Sequence, residues 1–192
     1  MNISKLTLLV VTGTEFSGKS TVVRLLEAAR PDQFVKLIPF TTTPVEGEAI
    51  LRVSSEVFAA MEERNDFAYT WQDKNYRSGY TEASFQAGEG KCILLEMNPD
   101  HIDHLRDFMC MRRVGIVWLN ISSAEIEKRY NEHHAGKSIV NAEKEINDLI
   151  FINTRCNTTF HQSYCRADAN NEPFLYFEQD VPTTEIARKI LA

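Results

Sequence analysis

The sequence predicts an α/β fold in which helices cover both faces of a parallel sheet, and two patterns predict it. Short apolar runs at Leu6–Val11, Cys92–Met97 and Val114–Leu119 have the length and composition of strands buried on both sides. Between them lie stretches whose apolar residues recur every three or four positions, the spacing of helices packed on one face. The composition permits such a core: 192 residues, 43% hydrophobic and 25% charged, suffice for one globular domain.

Taken in order, Leu6–Val11 forms the first strand, and a glycine-bearing loop follows it. From Lys19 to Arg30, Val22, Val23, Leu25, Leu26 and Ala29 mark a helix that Pro31 stops. Phe34–Phe40 reads as a strand and Thr41–Gly47 as a polar turn. Glu56–Asn65 reads as a helix with Val57, Phe58 and Met61 on one face. The turn "GEGK" leads into the strand Cys92–Met97, and Asp100–Met109 reads as a helix before the strand Val114–Leu119. Ala124–Glu132 is helical by pattern, a polar stretch runs to Glu145, and a further helix extends to about Arg155. Phe174–Phe177 and Thr183–Leu191 close the series as strand and helix.

The loop after the first strand carries the chemistry. "GTEFSGKST", Gly13 to Thr21, contains Gly13-x-x-x-x-Gly18-Lys19-Ser20, a phosphate-binding pattern set between a strand and a helix as its mechanism requires. The glycines permit backbone conformations that turn successive N–H groups inward onto phosphate oxygens. The helix N-terminus adds partial positive charge. Gly13, Thr14, Glu15, Phe16, Ser17, Gly18, Lys19, Ser20 and Thr21 are therefore the candidate nucleotide-binding residues. Lys19 is placed to neutralise the outer phosphates of ATP, and Ser20 to ligate Mg2+.

Charge and cysteine usage narrow the partners. A net charge of −6 argues against nucleic-acid polymers and anionic membranes. The four cysteines show neither CxxC pairing nor zinc-ligand spacing, as in reduced thiols of a cytoplasmic protein. No apolar run approaches a spanning helix or a signal core, so a soluble protein is expected.

Beyond the loop, several stretches resemble guanylate kinase and its sister P-loop kinases, in order and at matching spacing. "FTTTPVEGE" is similar to that family's TTRxPRxGE, and "VSSEVFAAMEERNDF" to the helix that follows it. "FAYTWQDKNYRSG" aligns without gaps to FLEWAEVHGNYYG, "GKCILLEMN" to GKDVILDID and "ISSAEIEKRY" to PSLEELEKRL. The resemblance runs through about Tyr130 and weakens afterwards. It implies a P-loop NTPase three-layer fold with a central parallel sheet, in one domain spanning 1–192. Core segments would be about 1–34 and 86–192, a small acceptor-binding subdomain about 35–85, and a lid segment about 131–145.

On the acceptor side the match fails. The two arginines that hold the phosphate of GMP in the family fall on Thr42 and Val45, and a serine falls on Ile38. The guanine-reading glutamate becomes Tyr69, and the tyrosine and threonine of YGT become Ser78 and Tyr80. Two carboxylates become Glu96 and Asn98. A Thr and a Val cannot replace bidentate, charge-assisted contacts, so GMP is not the expected acceptor. Candidate acceptor-binding residues are Thr42, Tyr69, Trp71, Lys74, Arg77, Ser78 and Asn98, with Arg52 as a further cation. Tyr69, Trp71 and Tyr76 either stack on a flat ligand or pack the subdomain core. Glu96 ends an apolar strand, where α/β sheets present residues to ligands, and is assigned with Lys19 and Arg129 as catalytic. The family's lid arginines reduce to Arg129, with His133, His134, Lys137 and Lys144 following, and Arg155 as a later substitute.

Three functions fit these residues. One is a kinase of the nucleoside monophosphate kinase type acting on another, nucleotide-like small molecule. A second is a P-loop kinase whose acceptor carries no phosphate, such as a nucleoside, sugar or modified base. The third is a catalytically weak guanylate-kinase-like binding module. An intact donor loop beside a rewritten acceptor pocket favours catalysis over the last. The sequence leaves the oligomeric state open.

Overall fold

In the computed structural model, residues 6–44, 50–73, 75–102, 105, 113–135, 142–169, 174–177 and 181–192 are described. Strand β1 (Leu8–Gly13) runs through the centre of a five-stranded sheet, with all six residues buried. Its neighbours are β7 (Cys92–Met97) and β8 (Val114–Leu119), with β2 (Phe34–Lys36) and β9 (Phe174–Phe177) at the edges, every pairing parallel. The expected parallel sheet is the one observed.

Each apolar run splits its side chains between two cores, because successive residues of a strand point to opposite faces. Leu8 and Val10 join Ile93, Leu95, Ile116 and Trp118 on one face. Leu9 and Val11 join Leu94, Val117 and Leu119 on the other. Helix α1 (Lys19–Ala29) covers this second face through Val22, Val23 and Leu26, beside Ile186 and Ile190 of α6 (Thr183–Leu191). The same parity puts Lys36 of β2 and Glu96 of β7 on the α1 side, two positions from Phe34 and Leu94.

The expected strand Phe34–Phe40 is two strands in two sheets. β2 ends at Lys36, and β3 (Phe40–Thr41) starts a second sheet after Pro39, which has no N–H to give a ladder. That sheet has the order β4-β3-β6-β5, with β4 (Leu51–Arg52) parallel to β3 and a hairpin of β5 (Phe67–Asp73) and β6 (Tyr76–Thr81). A register shift between Phe67 and Tyr69 turns the hairpin's aromatics to different sides. Phe67 stacks on Phe58 of α2 (Ser55–Glu63), at 4.5 Å between rings, whereas Tyr69 and Trp71 face the main core. α2 starts at Ser54, whose hydroxyl accepts from the Val57 N–H, and α3 (Glu82–Ala87) is capped likewise by Thr81.

After β7 a 3-10 turn (Pro99–His101) leads to Ile102 and Leu105, both buried; the rest of the expected Asp100–Met109 helix lies outside the described residues. Helix α4 (Ser123–His133) begins at a Ser122 cap. Helix α5 (Ala142–Ala169) runs well past Arg155, where the sequence pattern had ended it. Ile121, Ile126, Tyr130 and Leu149 bury a small third core between α4 and α5, with Phe16 of the glycine loop packed against it. Among the described residues no helix is long and apolar enough to cross a membrane.

Candidate active site

The glycine loop leaves the carboxyl end of β1 and winds into α1. Gly13 has φ 154° and Gly18 φ 92°, conformations that side-chain-bearing residues rarely adopt. A Cβ on Gly13 would stand 2.5 Å from the Leu119 carbonyl oxygen and 2.6 Å from Ser17 Oγ. Gly18 is the N-cap of α1 and gives no side-chain cap, so the first amides of the helix have no capping side chain. Phe16 is held at φ 62°, strained for an aromatic residue. Its ring packs edge-on to Tyr130 and His133, 5.9 and 5.8 Å away.

Three groups fix this backbone. Lys19 Nζ donates to the carbonyls of Gly13 (2.8 Å) and Thr14 (2.7 Å). Arg129 of α4 donates from Nη1 to the Phe16 carbonyl (2.8 Å) and from Nε to Glu125 (2.7 Å). That bond holds the Glu125 carboxyl below its ordinary range. The third group escaped the sequence reading. Thr14 Oγ1 donates to Oδ1 of buried Asn153 (3.1 Å), whose Nδ2 donates to the Ile121 carbonyl (2.8 Å). A long helix is thereby tied to the loop.

The loop fits a magnesium–triphosphate by its own features. It has a cradle that a Cβ would fill, an uncapped helix N-terminus, and a buried Ser17 hydroxyl without a hydrogen-bond partner among the described residues. Ser20 Oγ donates to Glu96 Oε2 at 2.6 Å, a pair of hard oxygens suited to Mg2+. Among the described residues no group of three or more His, Cys, Asp or Glu side chains could hold a metal.

Lys19 and Ser20 also line a cavity of about 560 Å³. It lies between α1, the ends of β2 and β7, and the second sheet. Glu96, Asn98 and Trp71 line it too, bringing five of the sequence-assigned residues together. Trp71 stacks on Tyr69 (5.8 Å) and tilts against Tyr80 (5.2 Å), which also reaches the cavity. Burial raises the Tyr80 hydroxyl far above its ordinary range, with the Glu96 charge adding to it. Tyr69 itself is buried, its hydroxyl donating to the His101 carbonyl (3.3 Å).

Other assigned residues lie elsewhere. Arg77 sits on the opposite side of β6, paired with Glu62 (2.5 Å) and placed over the Phe58 ring (5.0 Å). Thr42 accepts from the Arg77 backbone N–H (2.9 Å), and Ser78 donates to Thr41 (3.0 Å). Arg52 lies on β4 outside the cavity lining. Lys144 is exposed on α5, and Arg155 pairs with Asp100. Tyr130 donates to Glu145, which pushes its hydroxyl up to about 12 and joins α4 to α5. Val45, Lys74 and Lys137 are outside the described residues.

The cavity's positive charge comes instead from Lys19, Arg24 and Lys36, the latter two unassigned from sequence. Lys36 Nζ meets Glu96 Oε1 at 2.5 Å, and its backbone N–H donates to Glu27 (2.9 Å). A signal existed: Ser20, Arg24 and Glu27 follow i, i+4, i+7 spacing, one stripe of α1.

No family model matches the sequence, and no curated protein matches it. Solved structures do. The chain is similar over its whole length to 85% of guanylate kinase from Anaplasma phagocytophilum, with TM-score 0.63 and 15% identity. Over 98% of its length it is similar to 93% of shikimate kinase from Acinetobacter baumannii in complex with shikimate, with TM-score 0.51 and 14% identity. At these identities the likeness is one of fold. The chain has a guanylate kinase-like P-loop kinase fold, an α/β architecture built on a central parallel sheet.

Proposed function

We propose that this chain is an ATP-dependent phosphotransferase that passes a phosphoryl group to a small-molecule acceptor other than GMP, seated in the cavity between α1 and the second sheet. One observation carries the reading: Lys19 and Ser20 belong to both the loop and the cavity wall, so donor and acceptor would meet at them. In this reading residues 35–85 shape the acceptor side and 131–145 act as the lid.

Bound Mg–ATP supplies the phosphoryl group and a cation that offsets charge on its outer oxygens. Lys19 would exchange the Gly13 and Thr14 carbonyls for phosphate oxygens, which are stronger acceptors for an ammonium group. Ser20 would present its hydroxyl oxygen to the cation, and Glu96, which borders the cavity, would either help hold that hydrated cation or accept the proton of an acceptor hydroxyl. Arg129, already against the loop at Phe16, is the guanidinium that would offer its fork to the phosphates.

Thr42 replaces one of the arginines implied for GMP, and its hydroxyl accepts from the second sheet's own backbone. Two missing charge-assisted contacts, at ~1.5–3 kcal/mol each, amount to a factor of ~10² to 10⁴ against GMP. The test is a phosphorylation screen with ATP over nucleotides, nucleosides and sugar derivatives, with Lys19→Ala as control. The variant should lose phosphotransfer and bind Mg–ATP weakly by calorimetry. Unchanged affinity in Lys19→Ala, or turnover of GMP within about tenfold of the best acceptor, would refute the proposal.

A further inference from the structure

We propose that the acceptor carries its own anionic group, a carboxylate or a phosphate, and that Arg24 and Lys36 bind it from the core side of the cavity. The inference rests on the phosphotransferase reading and specifies its substrate class.

The argument starts from α1. Ser20, Arg24 and Glu27 lie along one stripe of the helix and all reach the cavity, so Arg24 stands one turn beyond the residue that faces the donor. Across from it, Lys36 projects from the carboxyl end of β2, the edge where open α/β sheets receive ligands. Its pair with Glu96 is largely withdrawn from solvent, at 19% and 18% side-chain exposure. Ion pairs in such surroundings lose in desolvation most of what they gain in attraction, so stability is a poor reason for this one. A lysine ammonium has three donors, and Glu96 Oε1 accounts for one. The remainder can serve an anion in the cavity.

Charge supports the same conclusion. Among the described residues, three cations, Lys19, Arg24 and Lys36, line the cavity beside the carboxylates Glu27 and Glu96, within a protein of net charge −6. Of the second sheet's described arginines, Arg52 lies outside the cavity lining and Arg77 is turned to α2 and paired with Glu62. Trp71 adds an aromatic surface to the same cavity, so the acceptor joins an anionic end to a face that tolerates an indole.

Adenosine 5′-tetraphosphate tests the site without knowledge of the acceptor, since in-line transfer puts its fourth phosphate where an acceptor would lie. In calorimetry with Mg2+ on the full chain, it should bind ~10-fold or more tightly than ATP, the effect of a charge-assisted contact. Arg24→Gln and Lys36→Met should each remove at least ~threefold of that increment, taken for each variant relative to its own ATP affinity, and Lys36→Arg should keep most of it. Equal binding of the two nucleotides by the unaltered protein overturns the proposal, as does an increment that survives Arg24→Gln and Lys36→Met together. Absence of ATP binding overturns the phosphotransferase reading as well, which separates the two failures. Nucleoside monophosphates assayed against hydroxy acids as acceptors then tell phosphate from carboxylate, and a best acceptor with no anionic group refutes the inference.

Discussion

Replacing Asn153 by alanine probes how the glycine loop is held. Asn153 is 6% exposed and Thr14 4%, and Ile121, whose carbonyl takes the other bond, is buried as well. Asn153→Ala therefore strands two buried polar groups, the Ile121 carbonyl and the Thr14 hydroxyl, at ~1–3 kcal/mol each. A small cavity adds to this, so the expected loss is ~2–5 kcal/mol, a large share of the ~5–15 kcal/mol that stabilises a domain. For a chain of this size that lowers the melting temperature by roughly 5–15 °C. Urea denaturation measures the loss directly.

Loop geometry should suffer along with stability, because the Thr14 carbonyl is one of the two oxygens that hold Lys19. Mg–ATP affinity should fall by ~10-fold or more at temperatures where Asn153→Ala is still folded. Thr14→Val strands only the Asn153 oxygen and should cost less. The decisive number is the coupling between the two substitutions. A double-mutant cycle should return at least ~0.5–1 kcal/mol of interaction, and additivity within ~0.3 kcal/mol would show that the Thr14–Asn153 bond does not hold the loop.

Gly13→Ala should destabilise the fold by ~2–4 kcal/mol and abolish nucleotide binding, since its Cβ would meet the Leu119 carbonyl at 2.5 Å; wild-type thermal stability in this variant would refute the geometry. Arg77→Ala should cost ~1 kcal/mol through lost contact with Phe58 and Glu62, yet leave the KM of whatever acceptor is found unchanged, which steady-state kinetics can check. Burial pushes the Cys92 thiol from 9.0 up to about 12, so the folded chain keeps a proton that the unfolded chain releases. Stability should be unaffected by this group below pH 9.0 and decline above it, and at pH 8 thiol reagents should label Cys92 only after unfolding, as read by peptide mass spectrometry.

Much of the fold was legible because it depends on local order. β1, β7 and β8 announce themselves as apolar runs, and the Gly13–Ser20 pattern locates the turn from strand to helix. The second sheet was harder to see. The register shift between Phe67 and Tyr69 breaks the alternation that would have marked β5, and Pro39 divides a run that looks continuous. The cavity's cations were harder still. Arg24 looks like an ordinary solvent-facing helix residue, and Lys36 like the polar end of an edge strand. They matter to the cavity because β2 pairs with β7, which brings Lys36 to Glu96, and only tertiary pairing reveals that. Arg77 shows the reverse error: it belongs to the stretch that resembles the acceptor side of the family, but the two-residue alternation of β6 directs it away.

The two halves of the site answer differently to substitution. On the loop side, function and fold coincide: Gly13 has no room for a Cβ, Phe16 holds a strained backbone, and Asn153, Arg129 and Lys19 each fix a separate point of it. Changing any one of these damages a conformation that the other contacts also need. The cavity side is built otherwise, from side chains that project from finished elements. Glu96, Lys36 and Arg24 sit at strand ends and on a helix face whose backbone bonds do not depend on them. Exchanging such residues alters charge and shape in the cavity while the five-stranded sheet stays the same. On the proposed function, a chain can therefore keep a demanding loop and acquire a different acceptor pocket. The physical place to look for acceptor specificity is accordingly the junction of α1, β2 and β7, where Ser20 Oγ, Glu96 and Lys36 form one continuous chain of contacts from the loop into the cavity.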